Sequence, residues 1–214
     1  MKAKDAAPTA MVGGSFDPIH LGHLHLVHSV ATKTIYRRFI FVPVGRNHFK
    51  PHANPAAEHH RLAMVKASLE AYTDLYPDDP PIELIVDECE LHRKGISYTI
   101  DTAKHLYLNY PIKGRLAVLL GDDLLPSLQQ WRDYEALKEL VTFVVIRREN
   151  VGHHFADLGA DLIYLDNPLL DDSSTIIREA LQALKEGEPL PQEVARLMPK
   201  EVAAYIDENN LYRS

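Results

Sequence analysis

The sequence predicts an α/β fold, a Rossmann-like, doubly wound and mainly parallel sheet in a single domain. Three observations predict it. Apolar runs of strand length alternate with stretches of helical period along the chain. The runs are apolar almost throughout rather than at every second residue, as strands covered on both faces require. The segments richest in glycine, histidine and carboxylate follow strands, where an open α/β sheet with right-handed crossovers binds its ligands.

Residues 9–14 (TAMVGG) read as a first strand running into glycines. Residues 20–34 have a helical pattern, with Leu21, Leu24, Val27, Val30 and Ala31 at three- and four-residue steps. A second strand covers 39–44 (FIFVPV), and a polar loop at 45–55 is broken by Pro51 and Pro55. Residues 58–72 are helical, with Leu62, Met64, Val65 and Leu69 as apolar positions, and 82–86 form a third strand after the turn-like PDDPP. A helix at 98–107 and a strand at 116–120 ending in Gly-Asp-Asp follow. Next come a helix at 134–140 and strands at 141–146 and 162–165. A helix at 174–185, opened by the capping residues Asp172 and Ser173, and a last helix at 200–208 complete the chain. There is no internal repeat and no linker. Residues 1–10 read as an N-terminal extension and 11–214 as the domain.

Composition narrows the function. The 214 residues are 46% hydrophobic and 25% charged, enough for one core and not a disordered chain. Asp plus Glu number 30 against 23 Lys plus Arg, a net charge of −7. A chain this acidic is no general nucleic-acid binder, so any phosphate must be met by a local pocket. The single cysteine, Cys89, leaves no internal disulfide and no cysteine cluster for zinc. The first ten residues lack the apolar stretch of a signal peptide, and no apolar run is long enough to span a bilayer. A soluble, cytoplasmic protein is expected.

The most informative string is Gly13-Gly14-Ser15-Phe16-Asp17-Pro18-Ile19-His20-Leu21-Gly22-His23. The two glycines let the backbone come close to a ligand. Asp17-Pro18 imposes an extended or turn geometry before the helix. His20 and His23, three residues apart on the first helical turn, share one face, and Gly22 between them leaves room for a bulky group. The helix N-terminus adds N–H donors and partial positive charge. Together these form a cradle for phosphates. It is neither a GxGxxG fingerprint nor a Walker loop. A metal site among His20, His23, His25 and His28 is the competing reading. It is disfavoured because no carboxylate or cysteine joins them at ligand spacing and the four cannot share one helical face.

The string resembles the signature of the HxGH nucleotidylyltransferase superfamily. Four further segments are similar to those of one branch, the nicotinate-nucleotide adenylyltransferases. Lys94-Gly95-Ile96-Ser97-Tyr98-Thr99-Ile100-Asp101-Thr102 is similar to its SYTxDT segment, and Leu120-Gly121-Asp122-Asp123 followed by Trp131 to its GxD…W segment. Asp172-Ser173-Ser174-Thr175-Ile176-Ile177-Arg178 is similar to its ISSTxIR segment, and the closing Tyr205-Ile206 and Asn210-Leu211-Tyr212 match as well. The resemblance runs from about residue 12 to the C-terminus, with its five segments in order.

The resemblance implies transfer of the adenylyl group of ATP to nicotinate mononucleotide, giving nicotinate adenine dinucleotide and pyrophosphate in NAD biosynthesis. The acceptor phosphate attacks the α-phosphorus itself, so catalysis needs positioning and charge neutralisation rather than a protein nucleophile. By resemblance His20, His23 and Arg178 are catalytic. The ATP site comprises Gly13, Gly14, Ser15, Phe16, His20, Gly22, His23, Gly121, Asp123, Ser174, Thr175 and Arg178. Asp123 is expected to hold a ribose or a hydrated metal. Lys50, Tyr98, Thr99 and Trp131 are the substrate-binding residues. Trp131 and Tyr98 wall the pyridine ring, and the helix start at Thr99 favours the carboxylate of nicotinate. Mg²⁺ is expected to bind mainly through the ATP phosphates, with no metal ligand assigned to the protein. The expected partners are ATP and nicotinate mononucleotide, with neither nucleic acid nor membrane. A homo-oligomer is left open.

Three departures from the family pattern stand out: Ser15 in place of Thr, Asp172 in place of Ile, and the order Phe49-Lys50-Pro51-His52 in the loop after the second strand. Three alternatives remain at this point. Trp131 also fits as a core residue. The acceptor also fits nicotinamide mononucleotide. A catalytically weak nucleotide sensor of the same fold also fits.

Overall fold

The computed structural model describes residues 5–45, 55–147, 159–167 and 174–213. In chain order these residues form β1 (Thr9–Gly14), α1 (Leu21–Lys33), β2 (Arg38–Pro43), α2 (Glu58–Glu70), α3 (Tyr72–Leu75), β3 (Glu83–Val86), α4 (Cys89–His92), α5 (Thr99–Asn109) and β4 (Leu116–Gly121). A 3-10 helix (Asp122–Gln130) follows, then α6 (Tyr134–Leu140), β5 (Val141–Ile146), β6 (Leu162–Leu165), α7 (Ser174–Gln182), α8 (Gln192–Ala195) and α9 (Lys200–Glu208). The strands lie in the order β3-β2-β1-β4-β5-β6, every pair parallel. This is the doubly wound arrangement. Its strand order reverses between β1 and β4, and the crevice outside their carboxyl ends is the ligand site of such sheets.

Successive side chains of a strand point to opposite faces. Ala10, Val12, Phe39, Phe41, Ala117, Leu119, Val144 and Ile146 therefore enter one core with residues of α1, α2, α7 and α9. Met11, Ile40, Val42, Leu116, Val118, Leu120, Phe143 and Val145 enter the other, with residues of α5, α6 and the 3-10 helix. Two cores on one sheet explain why the strands are apolar almost throughout.

The structure corrects the predicted elements at their edges. The first helix starts at Leu21, with His20 as its N-cap in extended conformation. The helix predicted to reach residue 185 ends at Gln182. Four short elements were not expected: α3, α4, α8 and the 3-10 helix, which carries Pro126 inside it. At the opposite end of the sheet from the crevice, Arg38 is 2% exposed. It donates to Glu83 Oε2 (2.7 Å), the Pro111 carbonyl (2.9 Å) and the Asp5 carbonyl (2.6 Å). It thereby staples strand starts and takes no part in the crevice.

Candidate active site

The loop from β1 to α1 is the centre of the crevice. Gly14 ends β1 beside Pro43, and Val44 donates its N–H to the Gly14 carbonyl (2.9 Å). A Cβ at Gly14 would sit 2.9 Å from the Phe16 ring, so any larger residue there has to displace that ring. Phe16 itself has φ = 48°, a left-handed conformation that bulky residues adopt only when their surroundings impose it. Its ring is 1% exposed and packs edge-on to His23 (5.2 Å between centroids) and against Phe41 (5.7 Å). Phe16, one of the residues expected in the ATP site, thus places its ring as a wall behind the His23 imidazole.

His20 and His23 come together as the spacing predicted, with ring centroids 4.0 Å apart. The His20 backbone N–H donates to His23 Nδ1 (3.3 Å). A neutral imidazole that accepts at Nδ1 carries its hydrogen on Nε2, which is thereby a donor suited to a phosphate oxygen. The expected set of N–H donors at the helix start is smaller than the sequence suggested. Leu21 N–H donates to the Leu197 carbonyl (2.9 Å) and His23 N–H to the His20 carbonyl (3.0 Å). Gly22 lies buried inside the first turn of α1.

Arg178, some 160 positions further along the chain, reaches this loop. Its Nη1 donates to the Asp17 carbonyl (2.6 Å), and its Nη2 donates to Thr175 Oγ1 (3.2 Å). Ser174 Oγ donates to the Pro18 carbonyl (3.0 Å). Both α7 residues therefore hold backbone two or three residues ahead of His20. Two imidazoles and a guanidinium from distant stretches thus meet at one short loop.

The other wall lies across the carboxyl end of β4. Gly121 closes that strand, buried beside Ile146. Asp122 (7% exposed) and the exposed Asp123 open the 3-10 helix that leads to Trp131. Trp131 is half-buried against the second core, as is Tyr98, the N-cap of α5; no side chain caps that helix, whose first residue is Thr99. The Arg132 guanidinium lies 4.6 Å over the Tyr98 ring, so the two segments meet. Trp131 Nε1 and Ser97 Oγ are buried polar atoms without a hydrogen-bond partner in this structure. Lys50, with Arg46, His48 and His52, and Asp172 lie outside the described residues.

Arg61 escaped sequence reasoning, and the contacts that Asp17 and Tyr212 make were not read from the motifs that contain them. Arg61 is 2% exposed and donates through Nη1 to the Ser15 carbonyl (2.7 Å) and through Nε to the Ala56 carbonyl (3.2 Å). Its signal was an arginine three and four residues before the apolar Met64 and Val65, on the buried face of α2. Asp17 Oδ1 accepts from Tyr212 Oη (2.8 Å) and Ala56 N–H (3.0 Å). Burial, then the Asp17 charge beside it, pushes the Tyr212 hydroxyl well above the usual tyrosine range.

The His20 N-cap pairs with His23, and the other two histidines of α1, His25 and His28, lie together further along the helix. His28 meets Asp79 (2.7 Å) and stacks on Tyr76, with His25 beside it. Among the described residues one Asp-Cys-His group has ligand atoms within 4.8 Å of one another: Asp87, Cys89 and His105, at the end of the edge strand β3. The Asp87 oxygens already accept from Cys89 N–H (2.9 Å), Tyr110 Oη (2.8 Å) and His105 Nε2 (3.3 Å). Burial pushes this carboxyl up, and the hydrogen bonds from Cys89 and Tyr110 outweigh it, so it titrates below the usual range. Burial, then Asp87, pushes the Cys89 thiol far up, so it stays protonated.

The sequence profile described as cytidylyltransferase-like matches residues 11–180. The probable nicotinate-nucleotide adenylyltransferase of Treponema pallidum (strain Nichols) is 33% identical over 217 residues, 96% of this chain and 98% of that protein. The protein of the same name from Dehalococcoides mccartyi (strain ATCC BAA-2266 / KCTC 15142 / 195) is 34% identical over 214 residues, 95% and 96%. Among solved structures, the Plasmodium falciparum nicotinic acid mononucleotide adenylyltransferase complexed with NaAD superposes with a TM-score of 0.70. It is 21% identical, covering 96% of this chain and 97% of that one, and supports the fold.

Proposed function

The chain belongs to the nicotinate-nucleotide adenylyltransferases of the cytidylyltransferase-like family, and from that premise we propose that it transfers the adenylyl group of ATP to nicotinate mononucleotide, a step of NAD biosynthesis. The observation that carries this reading is the meeting of α7 with the β1–α1 loop. Arg178 and Ser174 hold the Asp17 and Pro18 carbonyls just ahead of the paired His20 and His23 rings.

In this reading a phosphate oxygen of the mononucleotide attacks the α-phosphorus of ATP. The new P–O bond forms as the bond to the bridging oxygen of the β-phosphate breaks, and pyrophosphate leaves. His20, His23 and Arg178 donate hydrogen bonds to the oxygens on which charge gathers, and no side chain is acylated or phosphorylated. Gly13, Gly14, Ser15, Gly22, Gly121, Asp123 and Thr175 line the ATP side. Tyr98, Thr99 and Trp131 line the acceptor side. Trp131 offers its indole face to the pyridinium and its orphaned Nε1–H as a donor. Arg132, over Tyr98, adds a cation for an anionic acceptor.

Nucleotidyltransferases of this family work with a divalent metal. Mg²⁺ would bind mainly through the ATP phosphates, and the exposed Asp123 carboxylate past the end of β4 would suit its waters. When bound, the ion neutralises phosphate charge. No helix among the described residues is long and apolar enough to cross a membrane.

The test is pyrophosphate release from ATP and Mg²⁺ with nicotinate mononucleotide, nicotinamide mononucleotide or phosphopantetheine as acceptor. A preference for the first by kcat/KM is expected. Preference for the second moves the substrate assignment. ATP binding without turnover of any acceptor overturns the enzymatic reading.

A further inference from the structure

We infer that Asp17 and Tyr212 form a positioning pair for this reaction. The Tyr212 hydroxyl orients a buried carboxylate that sets the loop bearing His20 and His23 and the resting place of Arg178. The inference rests on the adenylyl-transfer reading and deepens it.

Asp17 is 5% exposed, and a buried carboxylate holds its place only where donors meet it. One oxygen takes the Tyr212 hydroxyl (2.8 Å) and the Ala56 N–H (3.0 Å). The other lies 4.0 Å from Arg178 Nη1, and the same Arg178 nitrogen donates to the Asp17 backbone carbonyl (2.6 Å). One residue, three positions ahead of His20, thus fixes the loop through its main chain and its side chain at once. Tyr212 reaches it from beyond α9 with φ = 65°, a backbone conformation rare for a bulky residue and maintained here by its surroundings. Arg61, on the Ser15 carbonyl, brings a second cation to the same loop. The Asp17 carboxylate lies beside the Arg178 guanidinium and is held off it by its own donors. Without the Tyr212 hydroxyl that carboxylate is free to turn toward Arg178, and the guanidinium and loop shift together. Misplacement of groups aimed at a transition state lowers kcat more than it weakens binding.

The experiment compares Tyr212→Phe, Asp17→Ala, Asp17→Asn and the double variant Asp17→Ala/Tyr212→Phe with wild type. The readouts are steady-state pyrophosphate release and thermal melting. Tyr212→Phe keeps the ring and removes one hydroxyl. Its kcat is expected to fall about tenfold, with both KM values within about threefold and melting within a few degrees of wild type. Asp17→Asn keeps an acceptor for Tyr212 and Ala56 and recovers most of what Asp17→Ala loses. The double variant is no slower than Asp17→Ala, because the hydroxyl acts through the carboxylate. If Asp17→Ala does not fold, Tyr212→Phe is placed in Asp17→Asn, where the same tenfold loss is expected.

Full kcat in Tyr212→Phe, or independent multiplicative losses in the double variant, overturns the pair while the function stands. A purely structural role lowers melting and leaves kcat per folded molecule unchanged, which also overturns it. Wild type that turns over only another mononucleotide overturns the substrate assignment alone, and the variants then rank in the same order on that acceptor. Wild type that turns over no acceptor overturns both readings.

Discussion

Gly14→Ala isolates what the packing behind His23 contributes. The added Cβ would lie 2.9, 3.1 and 3.3 Å from three atoms of the Phe16 ring, against the 3.4 Å at which ordinary contact begins. The ring has to move by about 0.5 Å in a close-packed core. It cannot swing into solvent, because it is 1% exposed and its backbone is held at φ = 48°. The displacement is passed to His23, whose ring meets it edge-on at 5.2 Å between centroids. Overpacking of this kind costs about 1–3 kcal/mol, and at about 2–4 °C per kcal/mol for a chain of this size melting falls by about 2–12 °C. A misplacement of about 1 Å at a reacting centre costs on the order of a hundredfold, so half of that gives about a tenfold fall in kcat. Gly13→Ala is the control. Its Cβ meets nothing nearer than Met11 at 3.9 Å, so melting is unchanged and any effect falls on the KM for ATP. Melting curves and pyrophosphate release for the two variants decide the matter. Gly14→Ala that matches wild type in both, or Gly13→Ala equally destabilised, refutes the reasoning. Recovery of kcat by Phe16→Leu in the Gly14→Ala background strengthens it.

Three further outcomes are expected. His23→Ala lowers kcat by on the order of 10²–10³ with little change in the acceptor KM, the pattern of a donor that acts on developing charge; equal loss in both removes that role. Trp131→Ala raises the KM for nicotinate mononucleotide about tenfold, since loss of one stacked ring costs roughly 1–3 kcal/mol, and an unmoved KM returns Trp131 to the core. Asp87→Asn acts on stability rather than rate. The Asp87 carboxyl titrates below its ordinary value in the folded chain, so it stabilises above that ordinary value and the contribution is lost as pH falls through the lowered one. Asp87→Asn therefore melts lower than wild type at neutral pH, and the gap narrows in acid; a gap of constant size contradicts the assignment.

The legible part of this fold is the part decided by burial alone. Thr9–Gly14, Val141–Ile146 and Leu162–Leu165 have the bounds their apolar runs predict, and Tyr134–Leu140 and Lys200–Glu208 follow from helical period. The 3-10 helix Asp122–Gln130 was not legible, because a three-residue period interrupted by Pro126 matches neither a strand nor an α-helix. In the site, the His20–His23 pairing follows from spacing within a single turn. Arg61, Asp17 and Tyr212 act mainly on backbone carbonyls, or on one another across long stretches of chain. Such partners leave no trace in local pattern. The packing of the Phe16 ring against the His23 imidazole was likewise not readable from spacing, since it depends on a left-handed backbone at Phe16.

The placing of β1 between β2 and β4 has a consequence for biosynthesis. The glycine-rich segment leaves the ribosome early, whereas the carbonyl of Leu197, the guanidinium of Arg178 and the phenol of Tyr212 that hold it are translated much later. A nascent polypeptide halted before these residues has the histidines but not their supports. Competence for chemistry therefore arrives as one late event, when the distal third of the chain folds back over its beginning.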